Sequence, residues 1–265
     1  MKIWYQSATT YRYESRFDNY GKTLEEICQG AARPDTKVHV EGIPVIAKDV
    51  EKYNFLQYHE KAEFLNNMIR AEKEGYDAFV IGCDLEPGLE EGKSMLSIPV
   101  VGISEASYHL AMMLGHLFTV VTSSMAFFNI FKRQVEKYGL AGKYLPGPYF
   151  YKASEAELSS ALVNPGPVIE KYKEVAQKAI ADGVSVIILN PAFIAALAYK
   201  TGWTKEQDAV ILNPITAVVK TAEMMVDLKK LGFEPSRQIG VYARMEKDKR
   251  DEAIKQFEKV FKISL

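Results

Sequence analysis

Chemistry in this sequence concentrates first at a thiol beside a carboxylate. Cys83 follows Val80-Ile81-Gly82 and precedes Asp84-Leu85-Glu86-Pro87-Gly88-Leu89. Pro87 fits the first turn of a helix, with Glu86 near its amino-terminal end. A thiol so placed faces backbone N–H groups and the positive end of a helix dipole, which predicts a pKa lowered from about 8.5 toward neutrality. A charged Asp84 close by works the other way, or orients a water or a partner. The alternative is a buried, inert cysteine closing a strand, the commoner state of a free thiol.

Other groups stand in comparable places. Thr122-Ser123-Ser124 follows an apolar run. Hydroxyls and amides in a strand-to-helix turn hold a carboxylate or amide oxygen, or one of them caps the next helix. Gln6-Ser7 ends the first apolar run and leads into a Tyr/Arg-rich stretch at 11–16. That loop suits an acidic small molecule, or is simply solvated. Asn190, followed by Pro191, ends a later apolar run. His109 and His116 are two helical turns apart with no third ligand, so no metal site is read. No G-x-G-x-x-G or G-x-x-x-x-G-K-[ST] falls in register with a strand, so no nucleotide cofactor is expected.

The elements that must position these groups alternate. Residues 3–6, 38–43, 78–83, 99–103, 118–122, 184–190 and 209–212 are short, β-branched runs bounded by turn residues. Between them, 58–74, 104–114, 126–138, 169–182 and 216–231 carry apolar residues at helical spacing. Buried strands separated by helices predict an α/β fold with parallel sheets and βαβ crossovers. Residues 74–83 and 182–190 echo each other: each leaves a helix, runs through a strand and ends on one polar residue, Cys83 or Asn190. The carboxyl ends of parallel strands are where ligands sit. The expected organisation is a first lobe over 1–115, with 215–265 packing back onto it, and a second over 116–214. Residues 139–166 read as an irregular connection with one strand at 149–151. Residues 245–259, mixed in charge, read as a solvated helix face.

Composition bounds the function. The 265 residues suit two lobes or one large α/β unit. Thirty-three basic against thirty-four acidic residues leave a net charge of −1, without the basic field of a nucleic-acid binder. No run approaches the roughly 20 apolar residues of a membrane helix, and no signal-peptide pattern opens the chain. Two cysteines, Cys28 and Cys83, make neither a disulfide framework nor a zinc pattern. A reduced cytoplasmic protein handling a small molecule is the expectation.

Three linked motifs then carry a resemblance. They are Tyr-Asp-Ala-Phe-Val-Ile-Gly-Cys-Asp-Leu-Glu-Pro-Gly-Leu at 76–89, Ile-Pro-Val-Val-Gly-Ile-Ser-Glu-Ala at 98–106 and Leu-Gly-His-Leu-Phe-Thr-Val-Val-Thr-Ser-Ser at 114–124. In this order they resemble the aspartate/glutamate racemase superfamily, its hydantoin racemase branch above all. The resemblance is dense over 75–124, weaker from about 181 to 231, and thin elsewhere. It implies two pseudo-symmetric lobes, each a mainly parallel sheet flanked by helices, with the active site in the cleft between them. It also implies no cofactor and assembly into homo-oligomers.

Racemases of this kind use two cysteines, one per lobe, on opposite faces of an acidic carbon. One thiolate takes the α-proton and the other thiol returns one. Cys83 falls on the first cysteine position. Thr122, Ser123 and Ser124 fall on the turn that grips substrate oxygen, and Gln6-Ser7 falls near a loop where relatives carry Asn and small hydroxyls. The second cysteine position holds Asn190, whose amide exchanges no proton near neutral pH. Asn213 stands where relatives often carry Asp. The expected protein is a cofactor-independent, cysteine-dependent isomerase of a small carboxylate, hydantoin or amino-acid derivative. Cys83 carries its chemistry, Asn190 polarises or positions, and Gln6, Ser7, Asp84, Thr122, Ser123, Ser124 and Pro191 contact the substrate. Single-cysteine decarboxylation, covalent catalysis of the maleate isomerase kind, and a non-catalytic binding protein are the alternatives.

Overall fold

The computed structural model describes residues 1–46, 49–236, 243 and 245–261. Around the first sheet the chain forms β1 (Lys2–Ser7), α1 (Asp18–Ala31), β2 (Lys37–Glu41), α2 (Asn54–Lys73), β3 (Ala78–Gly82), α3 (Leu89–Met95), β4 (Val100–Gly102) and α4 (Ile103–Leu114). Around the second it forms β5 (Phe118–Val121), α5 (Met125–Lys137), α6 (Glu155–Ala161), α7 (Gly166–Ala181), β6 (Val186–Leu189), α8 (Ala192–Thr201), β7 (Lys205–Glu206) and β8 (Ala209–Leu212). Helices α9 (Pro214–Lys230) and α10 (Lys247–Phe261) follow.

The first sheet is wholly parallel, in the order β2-β1-β3-β4. The second has the order β5-β6-β8-β7, parallel except for the short edge strand β7. β3 and β6 are buried along their whole length, which is why they read as unbroken apolar runs rather than alternating ones. Register brings the polar strand ends together. Ser7 pairs with Gly82 at the edge of the first sheet, so Ser7 and Cys83 emerge side by side. Val121 pairs with Leu189 in the second, so Thr122 and Asn190 do likewise. In the first sheet the chain leaves β1 for β2 on one flank and returns to β3 on the other. Such a reversal of strand order opens a crevice at the carboxyl ends.

Helix α9 leaves the second sheet under an Asn213 cap, whose side-chain oxygen accepts from the N–H of Ile215 at 3.0 Å. It then packs on β3, β4, α4 and α1. Helix α10 lies against α2 through the Arg250–Glu72 ion pair and the rings of Phe261 and Tyr58. One apolar core is continuous from Ile3, Tyr5 and Leu24 to Leu189, Ile194 and Ile215, so the two sheets share an interior. No helix among the described residues is long and apolar enough to cross a membrane.

Three local expectations are corrected. Helix α3 begins at Leu89, not at Pro87, because Glu86 and Gly88 both adopt left-handed backbone (φ 52° and 77°) that interrupts helical propagation. Residues 149–151 make a single bridge, Thr122 with Phe150, rather than a strand. Helix α8 was not anticipated: Ile194 to Ala198 are all buried, and a helix apolar all round shows no periodic stripe.

Candidate active site

Cys83 is the first residue beyond β3. The close approach that sets it there depends on Gly82, where a Cβ would run into the ring of buried Tyr5. Cys83 lines a cavity of about 220 Å³ between the lobes. Ser7, Thr9, Glu60 and Asp84 are among its polar lining, and Tyr20, Phe127, Pro191 and Phe193 among its apolar lining. The rings of Tyr20 and Phe193 meet at 5.5 Å, closing α1 onto α8. A wider groove of about 650 Å³ lies elsewhere, between α4 and α9, and no cysteine lines it among the described residues.

The expected lowering of the Cys83 pKa is overturned. Burial pushes the thiol well up, and the carboxylates of Glu60, Asp84 and Glu86 add to the rise, against one backbone N–H, that of Leu85. The helix dipole invoked from the sequence starts too far along the chain to matter, since such effects fade within a turn. Cys83 is therefore held as a thiol. Cys28, on α1, is fully buried and its thiol is likewise pushed up by desolvation; both cysteines are free.

Asp84 starts on the first lobe and ends against the second. Its Oδ2 accepts from the N–H of Ala192 at 3.1 Å. With the Asn190 amide assigned from its neighbours, Nδ2 donates to Asp84 Oδ1 at 2.6 Å and to the Leu189 carbonyl at 3.0 Å. Burial raises the Asp84 carboxyl to about 7, partly offset by the backbone donors. The backbone carbonyl of Asp84 is fixed as well, accepting from Gln134 Nε2 at 2.7 Å and Ser104 Oγ at 3.2 Å.

Glu86 anchors the same loop. It accepts from the N–H of Glu105 at 2.7 Å, in the first turn of α4, and from the Tyr138 hydroxyl at the end of α5. Its carboxyl is also raised to about 7, burial being the main cause. Gly102 leaves room for it, since a Cβ there would strike Glu86 Oε1.

The remaining sequence candidates divide. Ser7, Asp84 and Pro191 line the cavity with Cys83. Asn190 stands behind Asp84, fully buried. Gln6 does not reach the cavity. Its amide donates to the carbonyls of Ser7, Glu41 and Gly42 while its oxygen accepts from Trp4 Nε1, so it ties strand ends together. Thr122, Ser123 and Ser124 also lie outside the cavity lining. Ser124 caps α5, accepting from Phe127 N at 3.4 Å, and Ser123 is half-buried. Thr122 Oγ1 is buried with no hydrogen-bond partner among the described residues. Asn213 is a helix cap that also donates to the Ala195 carbonyl at 2.9 Å.

Sequence reasoning missed Glu60, and a signal for it existed. Glu60, Phe64 and Met68 recur at four-residue spacing on α2 and all three are buried. A carboxylate on an apolar stripe is out of place unless it serves a site.

Two α/β lobes sharing a core, with a thiol and buried carboxyls at the ends of central parallel strands, define a class of cleft protein built for a small ligand. Residues 18–222 match the Asp/Glu/Hydantoin racemase family, and the chain belongs to it. It is 30% identical over 210 residues to the hydantoin racemase of Pseudomonas sp. (strain NS671), covering 79% of this chain and 82% of that protein. In fold it is similar to the allantoin racemase of Klebsiella pneumoniae, with a TM-score of 0.73 at 24% identity over 93% of this chain and 94% of that one. The allantoin racemase of Pseudomonas fluorescens gives the same TM-score at 25% identity over 93% and 97%.

Proposed function

We propose that this protein is a cofactor-independent racemase that moves a proton at the acidic carbon of a small, neutral, hydantoin-like ring. The observation that carries the reading is the position of Cys83, which lines a cavity between the lobes. The family and the hydantoin racemase relative support the reaction class. The lining supports the substrate class. Among the described residues it includes the carboxyls of Glu60 and Asp84 but neither lysine nor arginine. Such a wall repels a dicarboxylate, which needs cations to replace its lost hydration, and it accepts hydrogen bonds from ring N–H groups. Tyr20, Phe127 and Phe193 suit an apolar ring substituent.

The test is solvent exchange. Wild-type protein in D2O labels the 5-carbon of a 5-substituted hydantoin, and Cys83→Ser lowers inversion by about 10²-fold or more while ligand-induced stabilisation survives. A wild type that labels neither enantiomer removes the reading. A second reading is favoured by the thiol's raised pKa and by the amide at position 190. Cys83 then only delivers a proton to one face, as in a decarboxylation, and label enters without inversion.

A further inference from the structure

Inverting a stereocentre by proton transfer requires an acid/base group on each face of the carbon. Asn190 cannot be one of them, because an amide neither gains nor loses a proton near neutral pH. Besides Cys83, the titratable groups lining the cavity among the described residues are Tyr20, Glu60 and Asp84. Burial pushes the Tyr20 hydroxyl far above neutrality, which removes it. Glu60 belongs to α2 on the first lobe, the lobe that carries Cys83.

Asp84 is different. Its backbone continues from Cys83, yet both its carboxyl oxygens are held by the second lobe, through the side chain of Asn190 at 2.6 Å and the N–H of Ala192 at 3.1 Å. We propose that Asp84 is the second proton-transfer group of the cleft, acting on the substrate face turned toward residues 190–192 while Cys83 acts on the other. This rests on the racemase reading above and makes Asn190 a positioning residue for Asp84.

The step balances. For one enantiomer the Asp84 carboxylate takes the α-proton and becomes a carboxylic acid, while the C–H electron pair moves into the neighbouring carbonyl as an enolate. The enolate pair then returns to carbon and takes the proton of the Cys83 S–H on the opposite face, leaving a thiolate. For the other enantiomer thiolate and carboxylic acid exchange roles, and solvent resets the two protons. Burial pushes this carboxyl up from its ordinary range, toward the pH at which it both gives and takes a proton. The titratable groups that feel its charge are Cys83 beside it, Tyr5 on β1, Tyr20 on α1 and Tyr108 on α4. All the tyrosines stay neutral, their hydroxyls being pushed up by burial, so Cys83 is the group with which Asp84 shares its proton balance.

The experiment uses pure D- and L-5-isobutylhydantoin in D2O, with label read by NMR and configuration by chiral chromatography. Wild-type protein labels and inverts both. Asp84→Asn keeps the shape and loses the proton. It labels one enantiomer with configuration retained, while inversion falls by about 10²-fold or more. Cys83→Ser labels only the opposite enantiomer. Exchange lowered equally for both enantiomers in Asp84→Asn, or inversion left intact, overturns the role of Asp84 alone. A wild type that labels without inverting, or not at all, overturns the racemase reading and this assignment with it. Should Asp84→Asn fail to fold, Asn190→Ala decides. Loss of a donor to the carboxylate moves the acid limb of kcat/KM for inversion upward by about one unit, and an unmoved limb overturns the proposal.

Discussion

The carboxyl of Asp84 and the side-chain amide of Asn190 meet at 2.6 Å, joining the end of β3 to the end of β6. With the Ala192 N–H on the other oxygen, this pair ties together two lobes that also meet through a shared apolar core and through Gln134 and Tyr138. A buried carboxylate so held is costly to break, because removing one partner leaves the other unsatisfied. The pair therefore helps fix both the shape of the cleft and the face that Asp84 presents to a ligand.

Glu60 raises the Cys83 thiol more than any other charged neighbour. Glu60→Gln removes that negative charge and lowers the thiol pKa. At pH 8 a larger thiolate fraction reacts, so alkylation of Cys83 by iodoacetamide accelerates several-fold. Peptide mass spectrometry separates it from fully buried Cys28. An unchanged or slower rate contradicts the electrostatic account.

Glu86 gives the protein a pH-dependent stability. Its folded carboxyl holds a proton up to about 7, against about 4.5 as an unperturbed group. Between those values the folded state binds more protons than the unfolded one, so stability falls as pH rises through the window. Glu86→Gln keeps an acceptor for the Glu105 N–H and offers a donor to the Tyr138 oxygen, without a buried charge. The variant is expected to melt higher than wild type at pH 8, by an amount corresponding to no more than about 3 kcal/mol, and the gap closes toward pH 5. Melting curves across that range check both the sign and the convergence.

Gly82 tests how tightly the thiol's strand end is packed. Gly82→Ala drives a methyl group into the ring of Tyr5, which is fully buried and cannot swing away. Overpacking of this kind costs about 1–3 kcal/mol. Urea unfolding should show a lower midpoint with an unchanged slope. A midpoint equal to wild type means the ring moves freely and the strand end is loose.

Much of the architecture was legible from neighbours along the chain. Unbroken apolar runs marked β3 and β6, and helical spacing marked α2, α4, α5, α7 and α9, since each pattern is set within a few residues. Helix α8 escaped because its surroundings are apolar on every side. Gln6 misled because an amide near a strand end looks alike whether it faces a ligand or, as here, three backbone carbonyls.

Sequence alone determined that Cys83 and Asn190 each follow directly on a buried strand, and that residue 190 brings an amide, which carries no proton near neutral pH. Tertiary structure alone decided what those residues experience. The thiol is pushed up rather than down because burial outweighs a single N–H and Glu60, arriving from α2, adds to it. Asp84 joins the opposite lobe because the β6–α8 turn folds against it. Strand and helix follow from local periodicity, whereas a proton's affinity follows from every charge and dipole that folding brings within a few ångströms, however distant in the chain.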